Sequence, residues 1–218
     1  MEYQCFRINP DGPDLPSQAA KYRALRLKAL KESPQSFSSS YEIESQFPDE
    51  IWISRIQETG KTTFVCSATS GDSSEWVGQV SLRGPLSVEE FRLPQESGQN
   101  PPESDDQVQR WQMLSLYTLP SHRGKGLAKA LCQTAFDFAV SHAKPTAVNT
   151  TIRIMVKPDN KATLSMYKSL GFKETGSCTL EEALRANGDA NLLPEGSLNE
   201  EYTTRTGVIM ELHLSQGS

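Results

Sequence analysis

Apolar and polar positions alternate over residues 3–9, predicting a first strand that ends at Asn9-Pro10-Asp11-Gly12-Pro13. Over 17–31 the period lengthens to that of a helix, with Ala20, Ala24, Leu27 and Leu30 as its apolar stripe. Pro34 stops it, and Pro48-Asp49-Glu50 opens a second helix carrying Ile51, Trp52 and Ile56 as far as Gly60. The β-rich runs 62–69 and 76–82 flank Ser70-Gly71-Asp72-Ser73-Ser74, a hairpin signal. Further strands are predicted over 111–118, 148–156, 172–178 and 206–214. Helices are predicted over 126–142, where Leu127, Ala130, Leu131, Thr134, Ala135 and Phe138 share a face, and over 160–170. Residues 84–108 and 179–203 are polar, and the first is rich in Pro, Glu, Ser and Gln, the composition of a long solvated loop. The element order predicts an α/β (α+β) fold, with a mixed, mostly antiparallel central sheet flanked by helices. One domain over 1–218, carrying two polar insertions, fits the length.

Composition narrows the class. No apolar run approaches the ~20 residues of a membrane span, and the N-terminus has neither the basic start nor the apolar core of a secretory signal. The four cysteines, Cys5, Cys66, Cys132 and Cys178, show no CxxC spacing, so reduced thiols in a cytosolic or nuclear protein are expected. His122, His142 and His213 do not pair at metal-ligand spacing, and no metal is expected. The net charge of −5 argues against general nucleic-acid binding. Its distribution is uneven. Each polar insertion holds six acids against one arginine, and the remainder carries 20 basic and 15 acidic residues, a net of +5.

Between the predicted strand 111–118 and helix 126–142 the chain reads Thr118-Leu-Pro-Ser-His-Arg-Gly-Lys-Gly-Leu-Ala128. A glycine-rich turn before a helix converges backbone N–H groups on one point, and the helix start adds roughly half a positive charge. Arg123 and Lys125 place cations beside it, so the turn suits a polyphosphate. It is neither a P-loop, which needs GxxxxGK[ST], nor a dinucleotide fingerprint, because Lys129 stands where the third glycine belongs.

Arg123-x-x-Gly126-x-Ala128 resembles the pyrophosphate loop of the GCN5-related N-acetyltransferase (GNAT) superfamily, Gln/Arg-x-x-Gly-x-Gly/Ala. Downstream, Asn160, Tyr167, Gly171 and Phe172 are similar to a second superfamily motif, Asn-x-x-Ala-x-x-x-Tyr-x-x-x-Gly-Phe, with Thr163 at the small position. The element order is also that of the GNAT fold, so the resemblance covers nearly the whole chain.

The resemblance implies acetyl-CoA as co-substrate and acetyl transfer to a primary amine of a small molecule, peptide or protein. It places the pyrophosphate on the N–H groups of Arg123, Gly124, Lys125, Gly126, Leu127 and Ala128. The pantetheine arm would run beside the backbone of Leu116, Tyr117 and Thr118, and Asn160 would touch the pantetheine or adenine-ribose portion. Tyr167 would protonate the departing thiolate. A general base is also required. The strand 111–118 offers none, leaving Glu42, Glu44, Asp105 and Asp106 as candidates; His122 reads as structural or exposed. The charge split predicts that the two acidic insertions, whose loops can approach the acceptor side in the resembling fold, flank the acceptor entrance and select a cationic amine; the alternative is that both are solubility loops. No nucleic-acid or membrane partner is expected, and both monomer and homodimer stay open. The alternative is a catalytically silent acyl-CoA-binding GNAT domain.

Overall fold

The computed structural model describes residues 1–37, 39–102 and 107–215. Seven strands form one mixed, mostly antiparallel sheet flanked by helices. They are β1 (Glu2–Arg7), β2 (Lys61–Ser70), β3 (Ser73–Leu86), β4 (Val108–Thr118), β5 (Asn149–Val156), β6 (Lys173–Cys178) and β7 (Gly207–Ser215), in the spatial order β1-β2-β3-β4-β5-β7-β6. β1 is antiparallel to β2, β4 is parallel to β5, and β7 is antiparallel to both β5 and β6. The helices are α1 (Leu15–Glu32), α2 (Tyr41–Glu44), α3 (Asp49–Ile56), α4 (Val88–Phe91), α5 (Leu127–Ser141), α6 (Lys161–Ser169), α7 (Leu180–Asn187) and α8 (Glu200–Thr203). Among the described residues no helix is long and apolar enough to cross a membrane, and no cluster of side chains could hold a metal ion.

By its contacts the chain divides into two compact units, Met1–Leu82 with Ser115–Ala135, and Arg83–Leu114 with Phe136–Ser218. In the first unit, α1 buries Leu15, Ala19, Leu25, Ala29 and Leu30. This differs from the expected stripe, for Ala20 and Ala24 are exposed. Burying a leucine removes far more apolar area from water than burying an alanine, so Leu15 and Leu25 fix the inward face. Tyr22 meets Trp52 of α3 edge to face, with ring centroids 6.1 Å apart. Glu44 is fully buried and binds Arg26 at 2.7 Å and Arg55 at 2.8 Å.

In the second unit, Trp111 of β4 packs edge to face on Phe138 of α5 (6.0 Å), and Phe136 lies 5.9 Å from Phe172. The first polar segment departs from the long solvated loop expected of it, and the second carries a helix within its polar insertion. Ser87 and Glu90 form a reciprocal capping box that starts α4 and delivers a buried Phe91; Thr179 and Glu182 do the same for α7, which buries Leu184 and Ala186. Glu182 is held at both oxygens by Arg205, at 2.7 Å each. Local caps and a few apolar anchors outweigh the polar composition.

Candidate active site

β4 supplies the lead-in to the glycine turn. Its ladder with β5 runs from Val108↔Asn149 to Gln112↔Arg153, and β4 continues to Thr118 beyond that ladder. At Ser115 the backbone takes φ +57°, the left-handed region that costs a non-glycine residue free energy. Ser115 is exposed and its carbonyl accepts from Gln79 Nε2 at 3.5 Å. The strand pattern alone gave no sign of this kink. Beyond it, Tyr117 is buried, its hydroxyl donating to Ser33 Oγ (3.0 Å) and its ring 5.2 Å from Phe37. Tyr117 can therefore offer a ligand only its backbone, the part in which the resemblance implied contact.

Residues 123–126 are all exposed. Gly124 and Gly126 have φ of +76° and +77°, and a Cβ built on either meets nothing within 4 Å. The turn needs glycine for its backbone angles and for the open space above them. Arg123 N–H donates to Pro120 O and Ala130 N–H to Gly126 O; among the described residues the N–H groups between them donate to no backbone carbonyl. A row of free donors at the head of the 15-residue α5, over an open cradle, fits an anion.

The flanking cations are oriented. Arg123 Nε donates to Thr118 O (3.1 Å), and its guanidinium lies 5.5 Å from the Tyr117 ring centroid. Lys125 Nζ donates to the Tyr3 hydroxyl (2.7 Å), which stands 3.1 Å from His122 Nδ1. His122 is buried, 3.5 Å from Glu75, so of the two readings, structural or exposed, it is not exposed. The contact of Tyr3 with Lys125 is invisible to sequence reasoning, because 122 residues separate the two.

The predicted residues divide between the units. Leu116, Tyr117, Thr118, Arg123, Gly124, Lys125, Gly126, Leu127 and Ala128 fall together in the first unit; Asn160 and Tyr167 lie in the second. Asn160 caps α6, its Oδ1 accepting from Thr163 N–H at 3.3 Å. Tyr167, two turns on, is buried and meets Phe172 edge to face at 5.1 Å. Of the candidate bases, Asp105 and Asp106 lie outside the described residues. Glu42 is exposed, and bonds from its own backbone and from Ser40 hold its carboxyl below the usual range. Burial pushes the Glu44 carboxyl up, but hydrogen bonds and charge from Arg26 and Arg55 outweigh it and the net direction is down. A carboxylate so fully paired makes a poor proton acceptor. Among the acids of the polar insertions, Glu90 binds Arg83, Glu181 binds Arg185 and Glu182 binds Arg205, all within the second unit.

Residues 27–172 match the acetyltransferase (GNAT) family. The chain belongs to that family. Human N-acetyltransferase 8B is 37% identical over 75 residues, which cover 33% of this chain and 31% of that protein's own length. Among solved structures, NAA60 of Arabidopsis thaliana in complex with acetyl-CoA gives a TM-score of 0.55 at 13% identity, covering 98% of this chain and 99% of that one. A GNAT-family acetyltransferase of Streptococcus pneumoniae gives 0.57 at 14% identity, over 98% and 100%. At such identities the structures share the GNAT fold with this chain.

Proposed function

We propose that this GNAT protein is an acetyl-CoA-dependent N-acetyltransferase that transfers the acetyl group to a primary amine of a small molecule, peptide or protein. The observation that carries the reading is the exposed turn 123–126, with two left-handed glycines, open space above them and free backbone donors at the head of α5. Acetyl-CoA supplies the activated acyl group. The N–H groups of Gly124–Ala128 bind its pyrophosphate, with the Arg123 and Lys125 side chains adding charge; the Arg123 N–H, expected to join them, is taken by Pro120 O. The backbone of Leu116–Thr118 orients the pantetheine arm by strand-like pairing, and a backbone N–H of this stretch faces the thioester oxygen. Asn160 contacts the pantetheine or adenine-ribose portion, and Tyr167 holds the proton that passes to the departing sulfur. An amine panel assayed for coenzyme A release tests the reading. Turnover with at least one primary amine supports it. Acetyl-CoA binding with no turnover on any amine supports instead a silent acyl-CoA-binding domain, the reading favoured by the lack of a carboxylate on β4 beyond Trp111.

A further inference from the structure

Cys5 and Cys66 stand directly opposite each other in the antiparallel β1–β2 ladder. The register is continuous from Glu2↔Thr69 to Arg7↔Phe64, so Ile8 faces Thr63 one step further on. Ile8 N–H donates to Thr63 O at 3.0 Å, which makes that pair a hydrogen-bonded one. Such pairs alternate with non-hydrogen-bonded ones along an antiparallel ladder. Counting back three steps, Cys5↔Cys66 is a non-hydrogen-bonded pair. At these positions Cα atoms approach to about 4.5 Å and side chains lie closest. A disulfide spans Cα separations of about 4.4–6.8 Å.

Each thiol acts on the other: the Cys66 thiol opposite holds Cys5 below the ordinary thiol range, and Cys5 together with burial pushes Cys66 above it. Cys66 Sγ itself donates to Ser67 O at 3.8 Å. Cys5, on the edge strand, is half-buried and Cys66 fully buried, so Cys5 is the more accessible of the two to a small oxidant. Cys132 and Cys178 differ in both respects. Both are buried, without a cysteine opposite them, and burial pushes their thiols up to about 12 and about 11.

We propose that Cys5 and Cys66 form a reversible dithiol/disulfide couple, closed by a peroxide and reopened by a dithiol reductant. The Cys5 thiolate attacks one oxygen of hydrogen peroxide; the S–O bond forms, the O–O bond breaks and hydroxide leaves, giving a sulfenic acid. Cys66 then loses its proton and its sulfur attacks that of Cys5. The S–S bond forms, the S–O bond breaks, and the oxygen departs as water. In sum, two thiols and one peroxide give one disulfide and two waters. Disulfides with an exposed member have the more oxidising potentials typical of reducible couples, and Cys5 is only half-buried.

The test treats the full chain with equimolar hydrogen peroxide at neutral pH, alkylates the remaining thiols, and maps a non-reduced digest by mass spectrometry. The expected result is a Cys5–Cys66 linked peptide, two hydrogens lighter than its parts, in most chains. Dithiothreitol removes it, and Cys132 and Cys178 stay reduced. Cys5→Ser, altering the half-exposed member, yields no link. Three results overturn the proposal: Cys5 and Cys66 both alkylated after oxidation, Cys5 carried to sulfinic acid with Cys66 still free, or Cys5 joined to a second chain.

Discussion

Arg153 and the pair Arg123–Lys125 carry the same charge in very different surroundings. Arg153, on β5 of the second unit, is fully buried. Its Nε donates to Gln112 Oε1 (2.8 Å), its Nη1 to Phe91 O (2.6 Å) and Gln99 Oε1 (3.1 Å), and its guanidinium lies 3.9 Å from the Phe91 ring centroid. Burial lowers its pKa to about 10, against the opposing pull of Glu211, so it stays charged at neutral pH. Around it Gln112 reaches Asn187 of α7, and Gln99 reaches Thr175 and Glu211. One guanidinium thus ties the α4 segment to β4 and, through its amide partners, to β6, β7 and the end of α7. Arg123 and Lys125, in the first unit, each keep one internal acceptor, Thr118 O and the Tyr3 hydroxyl. They lie exposed beside backbone N–H groups that, among the described residues, donate to no backbone carbonyl. A buried cation tied to several acceptors holds the fold together, even with its Nη2 left unpartnered as in Arg153. An exposed cation beside idle backbone donors and open space is available to a ligand.

If that contrast is right, substitutions in the two settings separate stability from chemistry. The largest expected effect is on turnover. Tyr167→Phe keeps the ring on Phe172 and removes the proton, so kcat falls by ~10²–10⁴ while the KM for acetyl-CoA changes little. Full activity in the folded variant would make Tyr167 a core residue only.

Stability effects come next. Glu44→Ala leaves Arg26 and Arg55 without their buried carboxylate and costs about 3–5 kcal/mol, measured by chemical denaturation. The same site sets an acid dependence. Because the folded pKa of Glu44 is depressed, its contribution is complete above the ordinary value of 4.5 and is lost as pH falls through the lowered folded value. Denaturation midpoints should therefore drop on acidification below about 4.5 in the parent protein, and more shallowly in Glu44→Gln. Equal slopes would contradict the assignment.

Arg153→Met sharpens the comparison. It strands the acceptors on Gln112, Gln99 and Phe91 and lowers stability by about 1–3 kcal/mol per group left unpaired. Acetyl-CoA affinity of the folded fraction should hold. A selective loss of affinity without loss of stability would reverse the role given to Arg153.

The smallest effect belongs to Lys125→Ala. An exposed charge is worth about 0.2–1 kcal/mol and is screened by salt. Acetyl-CoA affinity should fall less than tenfold, with a shallower salt dependence. An unchanged salt slope would remove Lys125 from the site.

How much of this was legible beforehand depended on distance along the chain. The seven strands, the helix after the glycine turn, and the cap at Asn160 rest on neighbouring residues and periodicity, and all were readable. Composition alone misleads in the polar segments, where Ser87-x-x-Glu90 and Thr179-x-x-Glu182 are local signals of a helix start present in the letters. Tyr3 holding Lys125 was invisible because only the tertiary fold joins them, as was the Gln112–Arg153–Phe91 network. Ser115 belongs to a third kind, for a left-handed serine in a strand leaves no pattern at all. Glu44 was a candidate base by its place after α1, and only the structure shows two arginines engaging it.

The turn itself offers the most direct measurement. Calorimetric titration of acetyl-CoA into the parent chain and into Gly126→Val compares an open cradle with one filled by a branched side chain. Apart from its own neighbours in the chain, nothing lies within 4 Å of a Cβ at Gly126, so the change registers mainly as backbone strain and in the ligand. Thermal denaturation of both proteins fixes the strain separately. The account predicts binding to the parent and a loss of at least tenfold in affinity, about 1.4 kcal/mol, for a folded Gly126→Val. Equal affinities in the two folded proteins, or no binding to the parent, would contradict it.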